Sequence, residues 1–288
     1  MKNKIVGIVI LMLVATTVVS ATNINVKEKI QPTSVGVDVP VWVVGDSWTY
    51  DNRLTQYRYL SNGTLSFKLF ENYTETIAVT DASGDNYTVK VTGKNIEGSL
   101  VNGSYRLKFT GFMKETGELV LRKTDLACLS ESYTTKGLAF WLIGKIGFPI
   151  PAQLTFFQKY RTPSGYRFLP FPLIAGTNGT IPPATQTFQE KWSLYWGFIK
   201  LVQINQTYTA GNLHYHCEMA NITVPAGTYN AYNISIDRHY GSGDWHGWRY
   251  YVEDVGMQTK IHWDVDWDTS GKPGYILEYN LVSTTYTP

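Results

Sequence analysis

The stretch MQTKIHWDVDWD, residues 257 to 268, alternates apolar and polar side chains over its whole length. Its odd-numbered positions carry Met, Thr, Ile, Trp, Val and Trp, and its even-numbered positions carry Gln, Lys, His and three Asp. Because successive side chains of a β-strand point to opposite faces, twelve residues of period two predict a strand with one buried and one solvated face.

Other segments repeat this pattern, and short turn sequences separate them. NYTVKVTGK (86–94) and AYNISIDR (231–238) alternate in the same way, and in VVGDSWTYDN (43–52) Trp48 and Tyr50 are predicted to be inward anchors of the first strand. Turn sequences such as DASGDN (81–86) and PAGT (225–228) lie between such runs. Short connections between alternating strands are typical of an antiparallel meander, so we expect an all-β fold with roughly ten to twelve strands and little helix.

Residues 39–288 are predicted to form a single β-domain after a flexible segment, residues 22–38. The exception within it is the apolar, proline-rich stretch 137–187, where prolines argue against a central position in a sheet. We expect a short helix near residues 140–146 and extended loop in the rest of this insert. It acts either as a core plug at the open end of the sheet or as a lid or contact surface.

Residues 1–21 have the layout of a secretory signal peptide: Lys2 and Lys4, an uncharged run from Ile5 to Val19, and small residues at a cleavage site. An uncleaved signal anchor is the alternative, and it is the only membrane attachment that we expect. Removing this segment leaves equal numbers of acidic and basic residues. Bulk charge therefore gives no reason to expect nucleic acid as a partner.

Asn-x-Ser/Thr sequons occur roughly three times as often as chance predicts for this composition, which favours an N-glycosylated protein that is secreted or lies on the cell surface. Alternation places Asn233 on a solvated strand face. The alternative is an Asn- and Thr-rich chain that forms sequons by accident. The eight candidate glycosylation sites are Asn62, Asn72, Asn86, Asn102, Asn178, Asn205, Asn221 and Asn233.

Cys128 and Cys217 are the two cysteines of the chain. In an exported protein they favour one disulfide bond, with two separate buried thiols as the alternative.

Several short stretches carry a family resemblance: VVGDSWTYD near the start, FLPFPLIAG and EKWSLYW in the middle, and VPAGTYNAYNI and WRYYVEDVGMQTK in the last third. They resemble secreted archaeal and bacterial proteins of unknown function that are similar to the LolA/LolB-like lipoprotein-carrier half-barrel domains. The resemblance implies a strongly curved antiparallel sheet, a half-barrel, around an apolar cavity. It carries no shared catalytic residues.

One candidate metal site lies in NLHYHCEM, where His214 and His216 share a strand face with Glu218. Two such imidazoles can share a metal ion, but no third ligand on a second element is identifiable, and a solvated polar face explains the pattern equally well. The series Asp264, Asp266 and Asp268 lacks the glycine and closing acid of a calcium loop.

Trp245 and Trp248 lie in or beside a glycine-rich turn and are the candidate ligand contacts, for example for a surface glycan. The alternative is that both rings fold back onto their own sheet.

The sequence shows no nucleophile elbow, and we expect no catalytic residues and no cofactor. The leading hypothesis is a secreted, N-glycosylated, non-enzymatic cell-surface β-protein whose curved sheet holds an apolar or lipid-like ligand. The alternatives are a structural or adhesive surface glycoprotein with a solidly packed sheet, and a metal-dependent or glycan-acting enzyme.

Overall fold

The computed structural model describes residues 36–59, 64–102, 105–143, 148–182, 187–197, 199–206, 213–240, 243–266 and 274–288. The predicted signal peptide, residues 1–21, and most of the predicted flexible segment 22–38 lie outside these ranges. The described chain is almost entirely β-structure, with one short 3₁₀ turn at Glu253–Val255. No helix within the described ranges is long and apolar enough to cross a membrane.

Fourteen strands form one antiparallel sheet, which confirms the predicted all-β fold. The strands are β1 Ser47–Tyr59, β2 Leu65–Asp81, β3 Asn86–Asn102, β4 Tyr105–Arg122, β5 Cys128–Ile143, β6 Phe148–Tyr166, β7 Thr177–Ile181, β8 Thr187–Trp196, β9 Ile199–Gln206, β10 Leu213–Val224, β11 Gly227–Tyr240, β12 Gly243–Val252, β13 Met257–Asp266 and β14 Tyr275–Thr284.

The sheet consists of two meanders that meet at the first and last strands. The order runs β7-β10-β11-β12-β13-β14-β1-β2-β3-β4-β5-β6-β8-β9. At the junction β1 pairs antiparallel with β14, and Leu54 lies opposite Leu277. The two ends of the described chain therefore lie side by side in the middle of the sheet.

The sheet curves around one face. Residues of β5 and of β12 line the same cavity, although seven inter-strand spacings separate these strands in the sheet order. In a flat sheet they would lie roughly 34 Å apart. A shared cavity requires strong curvature, and we call the enclosed side the concave face.

The concave face holds the hydrophobic core. Trp48 and Tyr50 are its predicted anchors in β1, and both are buried. The Trp48 indole donates a hydrogen bond to the Val255 carbonyl oxygen at 2.7 Å, and the Tyr50 hydroxyl donates one to the Gln258 carbonyl oxygen at 2.8 Å. These contacts tie β1 to the turn and strand that follow β12.

The proline-rich insert departs from its predicted structure. Residues 137–143 belong to β5, so the helix expected near residues 140–146 is wrong where the structure describes it, and residues 144–147 lie outside the described ranges. Pro149 and Pro151 lie in β6 opposite Leu142 and Phe140 of β5. The other neighbour of β6, strand β8, pairs only from Gln153 onward. Both prolines therefore lie where β6 has a partner on one side only, a position that tolerates a missing N–H.

The later part of the insert covers the concave face. Phe168 and Leu169 line the cavity, and Leu173 exchanges two backbone hydrogen bonds of 2.9 Å with Val37. This segment lies over the cavity, a position that fits both interpretations of the insert, the plug and the lid.

Candidate functional site

The concave face encloses a cavity of about 70 Å³, measured as the space open to the centres of water-sized molecules. Most of its wall is aliphatic, contributed by three neighbouring strands and the turn after β4. The aliphatic side chains on this side are Ile77, Val89, Val91, Leu119, Leu121 and Leu126. Such a wall removes apolar surface of an occupant from water and so favours an apolar body.

A few polar side chains interrupt this wall. Glu75 of β2 lies beside the rings of Tyr50, Tyr133 and Tyr279, whereas Arg249 lies on the side formed by β12 and β13. An apolar cavity with few polar groups is the usual construction of a small-molecule site.

Glu75 belongs to a group of four buried glutamates on the concave face. They are Glu71 and Glu75 of β2, Glu115 of β4 and Glu131 of β5, and each is at most 5% exposed. The side chains of Glu71 and Glu75 lie on the inward face because they fall in phase with the buried β2 residues Leu69 and Val79.

The register of the sheet sets the spacing between two of these carboxyls. Gly93 of β3 lies opposite Glu75 on one side and opposite Glu115 on the other. A Cβ at position 93 would lie 2.9 Å from the Glu115 Cβ and 3.4 Å from the ring of Tyr73. Because Gly93 has no side chain, the Glu115 side chain and the Tyr73 ring fill the space above it, between the strands that carry Glu75 and Glu115.

Burial raises the pKa of all four carboxyls. Burial, with Glu115 adding repulsion, raises the pKa of Glu71 to about 8. The pKa of Glu115 rises to about 7 through burial, although the Thr135 hydroxyl donates a 2.7 Å hydrogen bond to its Oε2. The pKa of Glu131 also rises to about 7. The pKa of Glu75 rises well above its usual value through burial and through the charge of Glu115.

The structure shows no basic partner for the four carboxyls among the residues that it describes. Within the described ranges, no Lys, Arg or His forms an ion pair with any of them. One oxygen each of Glu71, Glu75 and Glu115 has no hydrogen-bond partner at all. Buried charged groups are normally paired, so this cluster departs from the ordinary construction of a core.

Neutral polar groups in the same region are also unpartnered. The Tyr73 hydroxyl and both amide atoms of Gln56 are buried without a hydrogen-bond partner. Asn52 and Tyr279 lie close enough to the Glu75 carboxyl to oppose the rise of its pKa. Neither the Asn52 amide nor the Tyr279 hydroxyl completes a hydrogen bond of normal geometry. We call Gln56, Glu71, Tyr73, Glu75 and Glu115 the polar belt.

Arg249 is the buried cation on the opposite wall. Its Nη1 donates a 3.0 Å hydrogen bond to the Gln258 side chain, and its guanidinium lies 5.2 Å and 5.1 Å from the ring centroids of Phe168 and Trp263. Burial lowers the pKa of Arg249 to about 10, so it stays charged at neutral pH. Its Nε has no hydrogen-bond partner.

The candidate metal residues His214 and His216 lie on exposed positions of β10. Each imidazole lies within hydrogen-bond distance of β7, His214 of the Thr180 hydroxyl and His216 of the Asn178 side chain. The part of the chain that the structure describes contains no group of three or more acidic, His or Cys side chains arranged to hold a metal ion. The Glu218 carboxylate lies 3.8 Å from the His216 Nε2, but among the described residues the two imidazoles and a third ligand do not form a metal-holding group.

The two tryptophans suggested as ligand contacts lie on β12. Trp248 is 36% exposed, and its ring lies 5.2 Å from that of His262. The side chain of Trp245 lies outside the described part of the structure. Trp248 is not among the residues that line the cavity.

The candidate glycosylation sites differ in exposure. Asn72, Asn178 and Asn221 are exposed and Asn86 is half-buried. Asn62 and the side chains of Asn102 and Asn205 lie outside what the structure describes.

Asn233 corrects the expectation of a solvated position. It is 8% exposed, and its amide donates a hydrogen bond to Glu218 at 3.1 Å. Alternation did place it on the opposite face from Ile234 and Ile236, but neighbouring side chains on that face cover it, so a glycan there would require them to move.

Cys128 and Cys217 are both buried and unpaired, in contrast to the favoured disulfide. They begin or lie within strands β5 and β10, which nine inter-strand steps separate in the sheet order. Burial raises the pKa of both thiols, so the reactive thiolate is suppressed.

We therefore expect the native protein to react with no thiol reagent on a timescale on which the unfolded protein reacts at two sites. Intact mass after iodoacetamide treatment, with and without urea, measures this difference. A mass that rises by two carbamidomethyl groups in urea only after reduction would instead demonstrate a disulfide.

The polar belt was not predicted from the sequence. The signal was present in β2, where the glutamates of LFENYTETIAV fall on the same alternate positions as Leu69, Ile77 and Val79. Charged residues in phase with aliphatic ones on a predicted strand are the pattern that would have identified it.

Comparison with known proteins adds no assignment, since no family model, no curated protein and no solved structure matches this chain.

Proposed function

We propose that this protein is a secreted, N-glycosylated, non-enzymatic β-protein of the cell surface that holds a small, largely apolar ligand on the concave face of its sheet. The observation that carries the ligand part is the cavity under residues 167–174, whose aliphatic wall is interrupted by unpaired buried polar groups. The compartment rests on the signal-like residues 1–21 and on the excess of sequons.

The size of the cavity limits the ligand. A volume of about 70 Å³ on this measure corresponds to roughly five to seven water-sized positions. This favours a small molecule, or one end of a longer one, over a fully enclosed acyl chain. The resemblance to lipoprotein-carrier domains accordingly supports a curved sheet with an apolar interior more than it supports lipoprotein as cargo.

The polar groups favour a ligand over a solid core. A buried hydrogen-bonding group without a partner costs about 1–3 kcal/mol. Glu75, Arg249 and Tyr279 line the cavity, and each has one buried polar atom without a hydrogen-bond partner. An occupant that supplies their missing partners recovers part of this cost on binding, which is how a polar end would fix its orientation.

A cavity-filling variant tests this function. We expect 1-butanol to shift the NMR resonances of residues around the cavity, and Val91→Phe to weaken that binding about tenfold or more because the larger ring occupies the same space. Val43→Phe is the matched control, since Val43 is 60% exposed. Native mass spectrometry of protein from its own source, before and after glycan removal, identifies a retained ligand and N-glycans.

Two results would contradict the proposal. One is equal 1-butanol binding by Val91→Phe and Val43→Phe, which would place the binding elsewhere. The other is no binding of 1-butanol, together with self-association at micromolar concentration, which would favour the adhesive or structural alternative.

A further inference from the structure

We propose that the ligand of this cavity is the carboxylate of a small apolar acid, whose anionic head binds Arg249 and whose hydrocarbon body lies along the aliphatic wall. This inference rests on the proposed function, because it names the chemical class of ligand for the same cavity. It depends on Arg249, Tyr279 and Glu75, the described residues of the lining that have a buried polar atom without a hydrogen-bond partner.

Arg249 is a cation without a counter-ion at the wall of the cavity. It is the one basic residue among the described residues of the lining, and it is 3% exposed. No ion pair links its guanidinium to an acid in the described part of the chain. Its Nη1 donates to the Gln258 side chain, but its Nε–H has no acceptor. Because buried charges are normally paired, this guanidinium indicates a missing anion.

The aromatic neighbours of the guanidinium do not replace that anion. The rings of Phe168 and Trp263 stabilise the positive charge through their π-faces, but they supply no oxygen that could accept the Nε–H bond. A carboxylate matches the planar guanidinium and accepts two parallel N–H bonds from it. Phe168 and Gln258 both line the cavity, so the guanidinium that they contact lies where an occupant can reach it.

The register of the sheet places a second donor on the same side of the cavity. Arg249 of β12 lies opposite Ile261 of β13, and Ile261 lies opposite Tyr279 of β14. The Cα atoms of Arg249 and Tyr279 are thus about 10 Å apart, or two strand spacings, and both side chains are longer than that of Ile261 between them. All three residues line the cavity. The Tyr279 hydroxyl has no partner, so it can donate to the carboxylate that Arg249 binds.

The acid in the lining does not oppose an anion near neutral pH. Burial and the charge of Glu115 raise the pKa of Glu75 well above its usual value, so the Glu75 carboxyl keeps its proton. A protonated carboxyl has an O–H donor, and the Oε2 of Glu75 has no partner. The unpartnered groups of the lining therefore include three donors and one positive charge, which together favour an anionic acceptor.

A short carboxylic acid fits the cavity better than other anions do. A phosphate monoester carries up to two negative charges, whereas Arg249 supplies one positive charge. A chloride ion would leave the aliphatic wall without an apolar partner. The volume of about 70 Å³, roughly five to seven water-sized positions, holds a carboxylate with a chain of a few carbons.

The test compares butyrate with butyramide, a neutral analogue of nearly the same shape, and with 1-butanol, by NMR titration of the full-length protein at pH 7. We expect butyrate to bind about tenfold or more tightly than butyramide, because charge-assisted hydrogen bonds are stronger than neutral ones. Arg249→Gln should remove this difference and change 1-butanol binding by less than about twofold. Arg161→Gln is the matched control, because Arg161 lies on β6 with an exposed side chain.

The outcomes separate this inference from the function on which it rests. If 1-butanol binds and butyrate binds no more tightly than butyramide, the carboxylate is overturned while the apolar ligand site stands. If none of the three probes binds, the ligand site itself is overturned. An equal preference for butyrate in Arg249→Gln and Arg161→Gln would overturn Arg249 as the residue that binds it.

A second measurement needs no variant, in case Arg249→Gln fails to fold. The Arg249 Nε–H resonance of the original protein should shift downfield with butyrate, because the proton gains a charged acceptor, and should shift less with butyramide. A resonance that butyrate leaves unchanged would overturn the proposal.

Discussion

The free energy of unfolding is expected to fall as the pH rises from about 5 to about 8, because the buried glutamates must ionise inside the folded protein. Glu71, Glu115 and Glu131 have pKa values of about 8, 7 and 7 in the folded state, against a value of about 4.3 for an unperturbed glutamate. Most proteins become less stable as the pH falls, so the buried glutamates oppose the usual trend.

The direction follows from the difference in bound protons. Between pH 5 and pH 8 the folded protein keeps protons on carboxyls that the unfolded chain has already lost. Stability decreases with pH wherever the folded state binds more protons. The stabilisation that these carboxyls contribute is therefore fully present below the pKa of a glutamate in the unfolded chain. It is lost as the pH rises through their pKa values in the folded protein. Each raised pKa unit corresponds to about 1.4 kcal/mol, so the three groups together give a loss of several kcal/mol, a large share of a typical 5–15 kcal/mol.

Urea unfolding of the ligand-free protein at pH 5, 6, 7 and 8 measures this loss. The triple variant Glu71→Gln, Glu115→Gln and Glu131→Gln should flatten the profile, since glutamine does not titrate. Glu118→Gln, which removes an exposed carboxyl of β4, should leave the profile of the original protein. A flat profile in the original protein would show that the buried acids are neutralised by partners, and the absence of any change in the triple variant would assign the slope to other groups.

The sequence predicted the fold class because a large half-buried sheet has a strong local signature. Alternation in residues 257–268 predicted a strand, and β13 covers Met257–Asp266 with Ile261 and Trp263 buried. Trp48 and Tyr50 were predicted to point inward, and both do. These positions could be predicted because their burial depends only on period and polarity, which the sequence shows directly.

The order of the strands in the sheet could not be predicted from the sequence, because it depends on pairing between distant segments. The pairing of β1 with β14 joins residues more than 200 positions apart, and no local pattern encodes it. The first part of the insert, residues 137–187, was predicted as helix and loop rather than strand for a related reason. Pro149 and Pro151 forbid a strand only where both sides need backbone donors, and whether β8 extends alongside them depends on the register of a distant segment.

The candidate site was missed because polarity was used as a marker of the solvated face. Glu71 and Glu75 fall on the buried phase of β2, so their charge conflicted with the rule that located the core. Such local conflicts are where functional positions are expected. His214 and His216, which the sequence did single out, follow the rule and lie exposed on β10.

Replacing Trp48 by alanine is expected to cost about 3–5 kcal/mol of unfolding free energy, because a fully buried indole is removed from the place where the two meanders meet. Its ring centroid lies 5.0 Å from that of Trp42 and 6.0 Å from that of Tyr286 near the C-terminus. Its backbone lies opposite Thr284 of β14 and Ile77 of β2. The Trp48 side chain thus supports β1, the segment that precedes β1, and the residues at and after the end of β14.

Two variants separate packing from hydrogen bonding at this position. Trp48→Phe keeps most of the ring but leaves the Val255 carbonyl without its indole donor, so it should cost about 1–3 kcal/mol. Trp248→Ala is the matched control, since the same truncation at a 36% exposed position of β12 should cost less than about 1 kcal/mol. Urea unfolding at a fixed pH compares all three variants. Equal losses in Trp48→Ala and Trp248→Ala would mean that the junction between β1 and β14 is not held by this core, whereas the expected order makes Trp48 the residue that joins the two halves of the sheet.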